Sequence, residues 1–178
     1  MRVYLRALEY EDCDILYKWR NDPEVSKYLG GNVYFVSKAR EKKWLDELIL
    51  DDKENLRLGI CIEKNRNYIG NVNLTKIEWI NRKAEFSIFI GTKEERGKGY
   101  GKEATILMLH HGFTQMNLNK IYLYVNYDNV NAIKLYKTLG FKKEGELKDN
   151  IFKYGKYHTQ FVMSIFATEF HENNDSLL

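Results

Sequence analysis

Residues 96–101 read RGKGYG and join a strand-like run, AEFSIFIG, to a helical stretch, KEATILMLHHGFTQM. Three of the chain's twelve glycines stand there at alternate positions, Gly97, Gly99 and Gly101. Glycine costs about 1 kcal/mol against alanine wherever a helix is wanted, so the cluster marks a turn whose backbone comes close to something. A strand, a glycine-rich turn and a long helix expose successive main-chain N–H groups at a helix N-terminus, where the dipole favours an anion. Phosphate suits such a place. Gly99 and Gly101 remove side-chain obstruction, and Arg96, Lys98 and Lys102 add positive charge. On the glycines alone, an ordinary surface turn with solvated cations fits as well. The spacing does exclude two rival phosphate loops: it is not the G-x-G-x-x-G of a dinucleotide fold, and no Gly-Lys-Ser/Thr triplet of a Walker loop occurs.

The flanking pattern is that of a mixed fold. VYLRAL alternates like a half-buried strand, and EYEDCDILYKWRN is helical and stops before Pro23. NDPEVSKYLGGNVYF reads as a loop or broken helix, and SKAREKKWLDELIL resumes helical spacing from a Ser37 cap. LRLGICIE, YIGNVNLTKIEWI and KAEFSIFIG form an antiparallel meander with short polar turns. After RGKGYG a helix runs to about Asn117, followed by the strand KIYLYVN and a second helix, NVNAIKLYKTLG, that closes at Gly140. Two more strands surround a Tyr154-Gly155-Lys156 hairpin, and HENNDSLL reads as a polar, frayed tail. A length of 178 residues corresponds to about one domain, expected over 1–170 with the tail at 171–178.

Charge narrows the partners. The 28 basic and 25 acidic residues leave a net +3 with no clustered block, which points away from nucleic acid and from a membrane surface. Cys13 and Cys61 lie far apart and form no ligand pair, so neither a disulfide framework nor a metal site is expected. MRVYLRALEYEDC has no apolar run behind Arg2, and no stretch approaches the ~20 apolar residues of a membrane span. A cytoplasmic location is the expectation.

Two motifs carry a resemblance. RGKGYG resembles the R/Q-x-x-G-x-G/A acetyl-coenzyme A (acetyl-CoA) motif of the GNAT superfamily, with Arg96, Gly99 and Gly101 at its defining positions. NVNAIKLYKTLGF is similar to that family's N-x-x-A-x-x-L-Y-x-x-x-G-F element through Asn129, Ala132, Leu135, Tyr136, Gly140 and Phe141. RALEYEDCDILYKWRNDPEV looks like the opening of the RimJ/RimL branch, while AEF, EGELKD and YGKY resemble the spermidine N-acetyltransferases. The resemblance implies an α+β GNAT fold. Its mostly antiparallel sheet of six to seven strands would splay in the middle to admit the pantetheine arm, with about four helices around it. It implies an acetyl-CoA-dependent N-acetyltransferase in which a primary amine attacks directly within a ternary complex. The acceptor would be a small amine or polyamine, an amino sugar or a protein N-terminus. A GNAT-fold acyl-CoA binder without transferase activity is the alternative, because a fold does not guarantee chemistry. Related enzymes are monomers, dimers or larger rings, so a homo-oligomer is compatible with this chain.

The chemistry assigns roles. An alkylammonium with a pKa of ~10.4 must lose its proton before attacking a thioester, and the departing thiolate needs a proton or a stabilising partner. By resemblance Tyr136 donates that proton; the alternative is that it packs in the core alongside Leu135 and Leu139. By resemblance Glu85 lies beside the acceptor pocket as base or cation holder; the alternative is a pair with Arg82 or Lys83. The backbone of Ile88, Phe89 and Ile90, where the strand would leave its neighbour, is implied to serve the oxyanion and the pantetheine amides. Gly97, Lys98, Tyr100, Gly101 and Lys102 would complete the phosphate turn. Asn129 can cap its helix and by resemblance lies next to pantetheine, with Asn131 and Lys134 in reach of the cofactor, although a solvated helix face suits the lysine. His110 and His111 lie in the long helix and are not site candidates. The acceptor pocket is expected near Trp19, Tyr28, Tyr34, Phe35 and Trp79. Between Glu24 and Glu41 there is no carboxylate, unlike the acidic cluster of the spermidine enzymes.

Overall fold

The structure, a computed structural model, describes residues 1–27, 35–51 and 54–174. Strands β1 (Val3–Ala7), β2 (Leu56–Ile62), β3 (Tyr68–Glu78), β4 (Lys83–Ile90), β5 (Lys120–Asn126), β6 (Lys142–Lys153) and β7 (Lys156–Phe166) form one sheet in the order β1-β2-β3-β4-β5-β7-β6. All neighbours run antiparallel except β4 and β5. The expected meander is β2-β3-β4, and the parallel β4/β5 pair requires the long crossover that helix α4 (Tyr100–Thr114) supplies.

The parallel pair is short. β4 and β5 match only at Lys83↔Lys120, Ala84↔Ile121 and Glu85↔Tyr122, whereas β3 stays paired with β4 as far as Gly70↔Ile90. Beyond Glu85 the two strands part, and the sheet opens in its middle as expected.

α1 (Cys13–Asn21), α2 (Pro23–Ser26) and α3 (Lys38–Asp51) lie between β1 and β2 in sequence, and α1 packs on α3. Asp22 caps α2 by accepting from the Glu24 N–H at 2.8 Å, with Pro23 at the first helical position. Ser37 accepts from the Arg40 N–H at 3.2 Å at the start of α3, as its sequence position predicts. The main core joins Val72, Leu74 and Phe86 of the sheet to Ala104, Met108 and Leu109 of α4. A smaller cluster of Leu16, Trp19 and Val25 with Leu45 of α3 sits apart from it. Trp19 presses so closely on the end of β4 that a Cβ on Gly91 would lie 2.2 Å from its ring.

Six α-helices occur among the described residues, against the expected four or so. One addition is the single turn α2. The other is α6 (Ala167–Asn174), which replaces the first part of the expected frayed tail: Phe170 is 2% exposed and its ring stacks on Phe113 at 5.4 Å. Buried aromatic area outweighs the polar composition that suggested a loose end. Residues 175–178 lie outside the described residues. At the hairpin, Tyr154 (φ 49°) and Gly155 (φ 77°) make the turn, and Lys156 already pairs with Lys153.

Candidate active site

The glycine turn is built as a helix start. Gly99, at φ 88° and ψ −3°, is the residue before α4, and its carbonyl accepts from the N–H groups of Lys102 and Glu103 at 3.0 and 3.3 Å. A left-handed residue at this point is what glycine supplies without steric cost. The N–H groups of Tyr100 and Gly101 come before the first intrahelical bonds and point out along the axis. A Cβ at Gly97 or Gly101 would meet nothing within 4 Å, so the turn is open on the side where those side chains would stand.

The expected cations behave differently from one another. Arg96 donates through Nε to the Ile90 carbonyl at 2.9 Å and through Nη2 to the Gly91 carbonyl at 3.0 Å. Its guanidinium thus pins the end of β4 to the turn. Lys98 pairs with Glu95 at 2.9 Å, while Lys102 is exposed. Of the three expected cations, Arg96 and Lys98 thus have partners within the protein, and Lys102 stands in solvent. A residue with no signal in the local sequence completes the turn. Arg2 donates to the Lys98 carbonyl at 2.9 Å, pairs with Glu103, and lies 4.9 Å over the Tyr100 ring.

Where β4 and β5 part, a cavity of about 640 Å³ opens. Ser87, Ile88 and Phe89 line it from β4, and the β4 backbone there has no β5 partner. Tyr136 reaches the cavity from α5 (Val130–Thr138), its ring 5.5 Å from Phe141 and 6.2 Å from Phe86. Tyr136 is only 8% exposed, and burial pushes its phenol up to about 12. It is therefore a neutral, proton-bearing group at physiological pH, combining the packing and the cavity-lining positions that the sequence left open. Asn129 caps α5 by accepting from the Ala132 N–H at 3.3 Å. Asn131 and Lys134 are exposed on the same helix.

Glu85 also lines the cavity, but its partner is neither Arg82 nor Lys83. Lys76 Nζ lies 2.7 Å from Glu85 Oε2, held there by an irregularity in β3 that gives Lys76 a φ of 50°. Lys83 pairs with Glu78, and Arg82 turns away to the Asn117 carbonyl and side chain.

The opposite side of the cavity is assembled from distant segments. β2, β3 and β4 place Arg57, Asn73 and Ser87 in one cross-strand row, and Asn73 Nδ2 donates to Ser87 Oγ at 3.0 Å. Asn71 accepts from the Tyr68 hydroxyl at 2.5 Å. Above them stand Trp19, Trp44 and Arg20. The Arg20 guanidinium lies 4.1 Å over the Trp44 ring, with Nε 2.8 Å from the carboxylate of Glu41, which is 1% exposed. Of the expected pocket aromatics among the described residues, only Trp19 lines the cavity. Trp79 is 52% exposed, Phe35 is fully exposed, and Tyr28 and Tyr34 lie outside the described residues. Trp44, Arg57, Asn71 and Gln160 went unread, because each is brought to the cavity by strand register or helix packing across the fold.

A sheet that parts along its single parallel pair, beside a helix started by a left-handed glycine, is the architecture of a GNAT-type acyltransferase. The open amides and the parted strands suit the diphosphate and the amide-bearing arm of a CoA thioester. Comparison with known proteins agrees: residues 2–142 match the acetyltransferase (GNAT) domain family. The spermidine N(1)-acetyltransferase of Escherichia coli strain K12 is 35% identical over 170 residues, covering 94% of this chain and 88% of that protein. An uncharacterised N-acetyltransferase of Bacillus licheniformis, p20, is 33% identical over 171 residues, covering 95% of each. The crystal structure of the Vibrio cholerae spermidine N-acetyltransferase with CoA and spermine superposes with a TM-score of 0.89 at 32% identity, covering 95% of this chain and 98% of that one. The chain belongs to the GNAT acetyltransferase family. Among the described residues no group of three or more His, Cys, Asp or Glu stands in metal-binding proximity, and no helix is long and apolar enough to cross a membrane.

Proposed function

We propose that this protein transfers the acetyl group of acetyl-CoA to the primary amine of a small molecule. The observation that carries this reading is the coincidence, at one cavity, of a parted β4/β5 pair and the buried, protonated Tyr136. The kinship with acetyltransferases, one of them crystallised with CoA, supports it.

In this reading the amides of Tyr100 and Gly101 hold the diphosphate, and Gly97 and Gly101 keep the approach clear. Arg96 and Arg2 position that turn rather than bind the ligand directly, while Lys102 adds charge at its rim. The backbone of Ile88 to Ile90 takes the pantetheine amides in place of the missing β5 partner, and Asn129 fixes the start of the helix that carries Tyr136. The bound thioester supplies the acetyl group. Tyr136 gives its phenolic proton to the sulfur in concert with C–S cleavage. As a free transfer the step is uphill, because the phenol at about 12 titrates above a thiol at ~8.5, and the tyrosinate then regains a proton from solvent. Glu85 receives the acceptor's ammonium or its proton, and Lys76 must yield for it to do so. Two buried free thiols, Cys13 and Cys61, support a reducing cytoplasm as the compartment.

A thiol-release assay with acetyl-CoA and a panel of amines, amino sugars and N-terminal peptides tests the reading. Amine-dependent release of CoA is the expected result. Tight binding of acetyl-CoA with no release for any acceptor would instead favour the noncatalytic binder.

A further inference from the structure

β3 carries one residue too many for its partner. Thr75 pairs with Glu85 and Glu78 with Lys83, so Lys76 and Ile77 together face the single residue Ala84. The extra residue decides which side chain meets the cavity. Asn71 and Asn73 line it, while Val72 and Leu74 belong to the core on the other face of the strand. Plain alternation would send Lys76 into that core and Ile77 into the cavity. With the bulge, Lys76 lines the cavity and Ile77 is buried in the core. Lys76 takes a φ of 50°, a left-handed conformation that a residue with a Cβ rarely adopts. The segment before β2 holds it there: the Lys76 N–H donates to Asn55 Oδ1 at 3.3 Å and the Ile77 N–H to the Glu54 carbonyl at 3.0 Å.

What the lysine reaches is the carboxylate assigned to the acceptor. Lys76 Nζ lies 2.7 Å from Glu85 Oε2 but outside hydrogen-bonding angles, so this oxygen, closed to solvent, has a charge beside it and no hydrogen bond. The two partners differ in freedom. The Lys76 side chain is 69% exposed and that of Glu85 20%. The lysine can therefore swing back into water at little cost in solvation, whereas Glu85 stays where it is. Tyr122 pairs with Glu85 from β5, its ring 5.9 Å from that of Tyr124, and Tyr124 and Tyr136 line the same cavity. With Lys76 gone, a poorly hydrated carboxylate stands among aromatic rings, which is a seat for an ammonium group.

Resting on the transferase reading, we propose that Lys76 is a built-in competitor for the acceptor: its ammonium fills the place on Glu85 that the acceptor's ammonium must take, and acceptor binding displaces it. The bulge creates the competition by putting a lysine, rather than Ile77, on the cavity face. Apparent affinity falls with the fraction of time the seat is empty, so a pair closed about nine-tenths of the time weakens acceptor binding roughly tenfold. Lys76 thereby sets the concentration at which an amine is acetylated. It also favours acceptors that arrive as cations, since a neutral group cannot replace its charge on a buried carboxylate.

Calorimetry of the CoA-saturated full chain with pentylamine and with spermidine tests this. In Lys76→Met at least one of the two amines binds roughly tenfold tighter than in the unaltered chain, while CoA affinity stays the same. Lys76→Gln, uncharged and polar, repeats the gain and guards against a methionine variant that misfolds. Lys76→Arg keeps the charge and gains nothing, and adding Glu85→Gln to Lys76→Met abolishes the gain. For an amine that is turned over, KM falls severalfold with kcat held, whereas the loss of a lysine that merely positions Glu85 lowers kcat. Equal or weaker binding by both uncharged variants, no binding of either amine to any of these proteins, a gain that survives Glu85→Gln, or a lower kcat at unchanged KM overturns the proposal. The expected gain with no thiol release for any acceptor would overturn the transferase reading alone. Thiol release with a KM that Lys76→Met leaves unaltered would overturn this proposal and leave that reading standing.

Discussion

The donor side and the acceptor side of the cavity are built on different principles. On the donor side the main chain does the holding: the amides at the start of α4, the unpaired stretch of β4 and the capped start of α5 lie within sixty residues of sequence and need specific residue types only where backbone geometry demands them. On the acceptor side, side chains from α1, α3, β2, β3 and β7 meet across the fold, and little but Trp19 was visible beforehand. Backbone recognition writes short, spaced motifs, whereas side-chain recognition is spread over the chain and free to change with the substrate.

If the donor side works through Tyr136, removing its hydroxyl has the largest effect. Tyr136→Phe keeps the packing against Phe86 and Phe141, so turnover should fall by about a hundredfold or more while calorimetry shows CoA affinity nearly unchanged. On the acceptor side the corresponding weak point is structural. Arg20→Met strips Glu41 of its partner, and a buried carboxylate left alone destabilises the fold strongly; with Arg20 partly solvated, about 2 kcal/mol by urea denaturation is expected. Glu41 is already pushed up by burial against the pull of Arg20. The variant pushes it further, so its stability should fall more steeply as pH rises from the acid range toward neutrality.

Two glycines sharpen the donor side. Gly99→Val forces a β-branched residue to φ 88° and crowds Arg2, whose Nη2 would lie 3.0 Å from the new Cβ. It should cost about 1–2 kcal/mol of stability, measurable as a lowered Tm. Gly101→Val enters open space, so Tm should hold while CoA binds roughly tenfold more weakly. The smallest effect concerns pH. With the Tyr136 phenol at about 12, its neutral form stabilises the fold fully below the unfolded value of ~10 and loses that contribution as pH climbs through the folded one. Turnover should therefore show no decline due to Tyr136 between neutrality and about pH 10. An earlier falling limb tied to that residue would contradict its burial.

Legibility followed the same division. The order of strands and helices, the helix after RGKGYG and the Asn129 cap could be read because each depends on residues close in sequence or on a periodicity, whereas the six to seven strands, the splay and the place of Tyr136 followed only from the family resemblance. Glu85 was read correctly as a cavity residue but with the wrong neighbours. Arg82 and Lys83 are adjacent in sequence, yet a strand irregularity ten residues upstream brings Lys76 to it instead. Arg96 carried the motif position but serves carbonyls, a role its charge does not announce. Arg2 and Glu103, 101 positions apart, could be paired only by folding β1 against α4. Trp79 looked like a pocket aromatic and is a surface residue, since alternation alone does not tell which end of a long strand lies under a helix.

The central claim is that main-chain amides at the start of α4 and along the parted end of β4 hold the acyl carrier in front of Tyr136. An ¹⁵N-resolved NMR titration of the intact protein with CoA measures those amides one by one. The largest shifts are predicted at Gly99 to Lys102 and at Ser87 to Ile90, saturating together. Saturation with those signals unmoved and the shifts confined to another face would contradict the account.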